Sequence, residues 1–178
     1  MEITSIIEIW KWFKWLPNFV LRKVFSKERL SELIYIDVKP RGEAVRVNLN
    51  ETSFFDIWLQ IINMTPFEIE LDRAEFDISF SGVGIKNKHL KKAVIKSGQI
   101  YNLHISDSID GSKSDVLKRM ANTSNDSSIS LYGVFNCSLH QFEKDNIHLG
   151  GVNVKYNGIQ ESVKGSSAPE NELKENQE

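Results

Sequence analysis

Apolar and polar residues alternate with a period of two through most of this chain. In residues 43–49, Val45, Val47 and Leu49 share one phase. Phe55, Ile57, Leu59 and Ile61 alternate with Asp56, Trp58 and Gln60. Phe67, Ile69 and Leu71 alternate with Glu68, Glu70 and Asp72, and Phe76, Ile78 and Phe80 with Asp77 and Ser79. Successive side chains of a strand point to opposite faces, so each run predicts a strand with one buried face. Further strands are predicted at 93–95, 100–105, 129–139 and 152–156, seven or eight in all. Pro66, Gly82, Gly84, Gly98 and the pair Gly150-Gly151 punctuate the runs as turns or bulges. No amphipathic helices alternate with these strands. A parallel α/β sheet is therefore disfavoured, and the expected fold is an all-β antiparallel β-sandwich.

The first 30 residues follow another rule. Ile3, Ile6, Ile7, Trp10, Phe13, Leu21 and Val24 fall on one broad helical face, and Glu8, Lys11, Asn18 and Arg22 on the other. Trp12, Trp15 and Phe19 widen the apolar sector. Pro17 is expected to kink this N-terminal amphipathic helix or divide it in two. Glu8, Lys11 and Lys14 would cost roughly 8–10 kcal/mol at a bilayer centre, against roughly 3–5 kcal/mol returned by the Leu, Ile, Phe and Val side chains, so spanning is disfavoured. A helix lying in the headgroup region fits better. Trp10, Trp12, Phe13, Trp15 and Phe19 would stand at the boundary, with Lys11, Lys14, Arg22 and Lys23 toward anionic lipid. The alternative is that the helix packs on the sandwich or on a sister subunit.

Three regions result: an N-terminal helix over 1–30 for a membrane surface or a partner, a sandwich over 33–160, and a tail over 162–178. The tail has almost no apolar side chain and is expected to be disordered. Between 106 and 128 the chain is rich in Ser, Asp and Asn. A short helix over 115–121, capped by Ser112 or Ser114, is expected within this crossover.

Composition narrows the chemistry. The net charge of −2 gives no overall basic excess for nucleic acid. Cys137 is the single cysteine, so no internal disulfide can form, which favours a reducing compartment and the cytoplasmic side of a membrane. His89, His104, His140 and His148 form no metal-binding spacing, and His104 and His140 read as solvent-facing strand positions. Asp107, Asp110 and Asp115 around Gly111 lack the spacing and closing glutamate of a calcium loop and read as turn chemistry. Ser81-Gly82-Val83-Gly84 reads as a turn into a strand rather than a phosphate loop. Lys86, Lys88, Lys91, Lys92 and Lys96 read as a solvated hairpin edge, with an anionic surface as the alternative partner. No catalytic residue, metal ligand or cofactor is expected.

The stretch 57–82, with its alternating strand ending in Asn63-Met-Thr-Pro66, a second alternating strand, and a third closing on Gly82, resembles the start of a water stress and hypersensitive response domain of the late-embryogenesis-abundant type. Residues 96–106 resemble that family's strand after a polar turn, and 129–135 its strand with a central glycine, here Gly133. The resemblance covers about 45–157. It implies an immunoglobulin- or fibronectin-like sandwich with no catalytic residues, often membrane-tethered and sometimes linked to stress protection. The amphipathic helix and the Ser/Asn crossover depart from the pattern. The expectation is a non-enzymatic binding or scaffold module attached peripherally to a membrane. The alternative is a homo-oligomeric structural or stress-protective protein whose N-terminal helices pack together.

Overall fold

The computed structural model describes residues 16–39, 43–121 and 127–158. Two short helices open it, α1 (Asn18–Val24) and α2 (Lys27–Glu32). The strands β1 (Ile34–Val38), β2 (Val45–Asn48), β3 (Phe54–Asn63), β4 (Ile69–Phe80), β5 (Val83–His89), β6 (Ala93–Ile95) and β7 (Ile100–Ser108) follow. After α3 (Gly111–Met120) come β8 (Ser127–Cys137), β9 (Gln141–Gly150) and β10 (Val154–Asn157).

Two sheets result, each built around one long strand. In the first, β3 carries β7 on one side, and β1 and β2 end to end on the other. In the second, β4 carries β8 on one side, and β5 and β6 end to end on the other, with β9 beyond β8. The expectation of a wholly antiparallel sandwich is corrected at one ladder. The chain crosses back from β9 to the first sheet, and β10 lies parallel to β2.

The alternation is realised as expected in β3, where Phe55, Ile57, Leu59 and Ile61 are buried. The two runs at 67–71 and 76–80 fall, from Ile69 onward, in one continuous strand, β4. Its buried set changes from odd positions (Ile69, Leu71) to even ones (Ala74, Phe76, Ile78, Phe80). A register shift between Leu71 and Arg73 against β8 provides the change, because one extra residue in a strand reverses which face each later side chain takes. β9 repeats the device. Phe142 is buried, Ile147 and Leu149 pack on the core from the opposite parity, and the register against β8 shifts between Leu131 and Gly133. Phe55 and Phe80 link the layers, their rings centred 5.8 Å apart, and within the second sheet Phe135 stacks on its cross-strand partner Phe142 at 5.7 Å.

The crossover from β3 to β4 is organised by Asn63, which is fully buried. Its Nδ2 donates to the carbonyls of Phe67 (2.8 Å) and Ile95 (3.0 Å). Its Oδ1 accepts from the backbone N–H and the hydroxyl of Thr65, at 2.9 and 2.7 Å. The Asn63 backbone accepts from Gly98 and donates to Gln99, and Ser97 Oγ donates to the Thr65 carbonyl at 2.6 Å. At the other end of β4, Ser81 and Gly82 both take positive φ, 47° and 84°, between the paired residues Phe80 and Val83. This is the two-residue hairpin geometry that favours glycine, so the glycine-rich stretch is a turn.

The helix in the crossover begins four residues earlier than expected. Its cap is Asp110, whose Oδ1 accepts from Ser112 N–H at 2.9 Å, rather than Ser112 or Ser114. The backbone and hydroxyl of Ser112 hold the Asp110 carboxyl below the usual range. Ser114 is buried instead, with its Oγ 2.6 Å from Ser53 Oγ.

Asn63→Leu removes the side-chain partner of the Ile95 carbonyl and of the Thr65 N–H, and leaves the Phe67 carbonyl only the Thr65 hydroxyl, so we expect a loss of about 2–4 kcal/mol in urea unfolding. A change under about 1 kcal/mol would show that the network is dispensable. A Cβ at Gly133 would lie 2.9 Å from Cε2 of the buried Phe135 ring. Gly133→Ala is therefore expected to cost about 1–3 kcal/mol in the same measurement.

Candidate functional site

The anchor residues Trp10, Lys11, Trp12, Phe13, Lys14 and Trp15 lie outside the described residues, as does the tail over 162–178. Phe19, Arg22 and Lys23 are described. In place of one helix running to residue 30, the described part is two. α1 starts directly after Pro17, whose carbonyl accepts from Val20 and Leu21. It ends at Phe25, and Ser26 in extended conformation caps α2 by accepting from Arg29 N–H at 3.3 Å.

The faces of α1 divide by helical spacing. Leu21 and Phe25 are buried, and Val24 packs against the same core. Phe25 meets Phe67 edge to face at 5.2 Å. Phe19, at 71 % exposure, shares its outward face with Arg22 and Lys23, three and four positions on, and both cations are exposed. In α2, Leu30 is fully buried. Fully burying Leu21, Phe25 and Leu30 contributes roughly 5–9 kcal/mol before ordering entropy. That commits the apolar side of residues 18–30 to the sandwich.

Two contacts fix α2. Met64 N–H donates to the Leu33 carbonyl at 3.0 Å. Lys144 Nζ on β9 donates to the Ser31 carbonyl at 2.6 Å. Burial holds the Lys144 ammonium below its usual range, while Glu32 and Asp145 pull the other way. The helix thus bridges the edges of both sheets, β1 and β9.

A second surface was not singled out from sequence. On the outer face of the first sheet the Trp58 ring stacks on His104 of β7, with centroids 4.8 Å apart and planes at 15°. The Arg46 guanidinium of β2, on the other side of β3, lies 5.1 Å from the same ring. His104 Nε2 is 2.8 Å from Asp56 Oδ1. An open concavity of about 680 Å³, lined by Lys39, Glu43, Arg46, Trp58, Gln60 and Asn102, adjoins this group. The signal was present in the alternation of 55–61, which turns Trp58 outward with Asp56 and Gln60. His104 is solvent-facing, as expected, whereas His140 is half-buried and its Nε2 has no hydrogen-bond partner.

The lysine segment forms cross-strand pairs. Lys88 reaches Glu75 at 3.2 Å and Lys86 reaches Asp77 at 3.8 Å. Lys92 lies 2.9 Å from Asp72 and 3.0 Å from Glu70, and these hydrogen bonds hold its ammonium above the usual range. All of these pairs are exposed and add little to stability. Among the described residues no cluster of His, Cys, Asp or Glu could hold a metal ion, and no helix is long and apolar enough to cross a membrane.

No family model matches the chain, and no curated protein matches it. Solved structures to which the chain is similar include the structural-genomics target SoR45, at 11 % identity over 68 % of this chain and 87 % of that one, with a TM-score of 0.47. A protein assigned as ApaA from Bordetella pertussis is 7 % identical over 68 % of this chain and 93 % of its own, with a TM-score of 0.46. A protein assigned to the late-embryogenesis-abundant class is 10 % identical over 85 % and 90 %, with a TM-score of 0.37. At these identities the likeness concerns fold alone.

Lys144→Met keeps the length of the side chain and removes its bond to Ser31. We expect a loss of about 1 kcal/mol and faster amide exchange confined to 27–33. Unchanged exchange there would mean that α2 is held by its apolar face alone.

Proposed function

We propose that the chain is a non-enzymatic binding or scaffold module, held peripherally at an anionic membrane surface by its N-terminal segment. The observation that carries this reading is the division of α1. Its apolar side is committed to the sandwich, yet Phe19 stays 71 % exposed beside Arg22 and Lys23. An exposed aromatic flanked by cations is the composition of an interfacial anchor. In the sequence this patch continues the stretch holding Trp10, Lys11, Trp12, Phe13, Lys14 and Trp15. Basic residues near an anionic leaflet contribute about 1 kcal/mol each, and tryptophan prefers the headgroup boundary.

The sandwich itself reads as a domain of the water stress and hypersensitive response type, with an immunoglobulin- or fibronectin-like plan. The positions that carry the resemblance support this. Asn63 ties the β3–β4 crossover, Gly82 turns β4 into β5, and Gly133 stands where the Phe135 ring leaves no room for a Cβ. A stress-protective role follows from that resemblance.

Co-sedimentation of the full-length chain with phosphatidylserine-containing and with neutral phosphatidylcholine vesicles tests the anchor. We expect preferential binding to the anionic vesicles. Lys11→Glu with Lys14→Glu should weaken it about thirtyfold or more, at about 1 kcal/mol per cation removed. Phe19→Ala should weaken binding to both lipids. No pelleting with either vesicle would sink the reading.

A further inference from the structure

The two sheets protect their edges unequally. β5, an edge of the second sheet, carries Lys86 and Lys88, each paired to an acid on β4. β9 carries Glu143, Lys144 and Asp145 and lies against α2. β6 and β10 are only three and four residues long. β7 has charge only at its far end, where Asp107 Oδ2 accepts from Asn87 Nδ2 of β5 at 2.7 Å. It is nine residues long, contains no lysine, arginine, glutamate or proline, and pairs only with β3 among the described residues. Ile100 at its start is 45 % exposed. Long edges with little charge and no proline are the ones that recruit another strand.

The direction of its free groups follows from β3. Trp58 donates its N–H to the Ala44 carbonyl and accepts from Lys39 N–H, so its main-chain groups face β1 and β2. Its cross-strand partner His104 therefore belongs to a non-hydrogen-bonded pair, and the His104 N–H and C=O face away from β3. By alternation so do those of Ile100, Asn102 and Ser106. Ser108 N–H is already taken by Asp107 Oδ1 at 2.8 Å, which closes the edge at that end.

We propose that a second copy of this chain pairs with β7 antiparallel about a two-fold axis at Leu103, joining the two first sheets into one. The edge is self-complementary in this register. Ile100 faces the partner copy's Ser106, and Asn102 faces its His104, both as hydrogen-bonded pairs with no like charges opposed. On the inner face Leu103 meets Leu103, and the half-buried Tyr101 meets the buried Ile105. The apolar layer therefore continues across the joint. This association is separate from the membrane anchor and uses none of its residues.

Sedimentation equilibrium of the full-length chain tests it, with amide exchange as a second readout. We expect a concentration-dependent dimer and slowing of the Asn102 and His104 amides as it forms. Asn102→Pro removes an outward N–H and no bond to β3. It should raise the dissociation constant about tenfold or more while leaving the circular dichroism unchanged. If that variant does not fold, Asn102→Lys with Ser106→Lys, which charges the joint and keeps the backbone, should weaken the dimer to the same degree. A monomer through the high-micromolar range overturns the proposal, as does a dimer that the lysine variant leaves intact. A monomer whose β7 edge amides are already protected overturns it too, because the chain's own residues would then occupy the edge.

Discussion

The Asn63 carboxamide is the interaction on which the arrangement of the two sheets rests. β3 and β4 are the central strands of separate sheets, and the short link between them must turn while burying its own peptide groups. Buried peptide groups without partners cost about as much as a lost hydrogen bond each, and the turn places several of them between layers. One side chain answers most of that demand. It donates twice and accepts twice, to Thr65, Phe67 and Ile95, and so joins the ends of β3, β4 and β6. Its backbone adds the start of β7 through Gly98 and Gln99. A hydroxyl or a carboxylate could not supply both N–H donors, so the residue type follows from the count of groups.

Given that junction, the sandwich follows from parity, and parity decides what could be read from the sequence. β3 was legible because its ten residues keep one phase throughout. β4 was legible as two strands rather than one, since the shift between Leu71 and Arg73 hides their continuity. β9 was not legible, because the same reversal falls within a run carrying only Phe142, Ile147 and Leu149 as apolar markers. β5 has a single buried side chain, Ile85, so alternation leaves almost no trace in it. The parallel pairing of β10 with β2 has no local signal, because it depends on which sheet the returning chain reaches. Of the site, Phe19, Arg22 and Lys23 could be placed on the helix from spacing alone. The group around Trp58 draws residues from β2, β3 and β7, and only the outward phase of Trp58 is written in one strand.

Open edges are a liability of any sandwich, and this one meets it in several ways. The β1 and β9 side is covered by α2, with Lys144 spanning the gap. The β5 side is covered by charge, where lysines on the edge strand lie opposite Glu75 and Asp77. These pairs are too exposed to stabilise the fold appreciably, so their value lies in keeping other strands away. The same logic makes the β7 edge, charged only at Asp107, informative. A chain that sets lysines on one edge and a helix on another does not neutralise the longest remaining one.

The helices then constrain how the proposed surface attachment could work. A helix that gives Leu21 and Phe25 to a core cannot also turn that face to lipid without losing several kcal/mol. Insertion by rolling α1 off the sandwich is thereby disfavoured. Any membrane contact through this segment must use the opposite side, where Phe19, Arg22 and Lys23 already stand in solvent. In the proposed attachment the sandwich would stand behind the helix rather than beside it. The Lys144–Ser31 bond, and the ring of Phe25 against Phe67, hold the two helices to the sandwich. The sandwich would then keep a fixed attitude to the surface, with α2 as the strut between them.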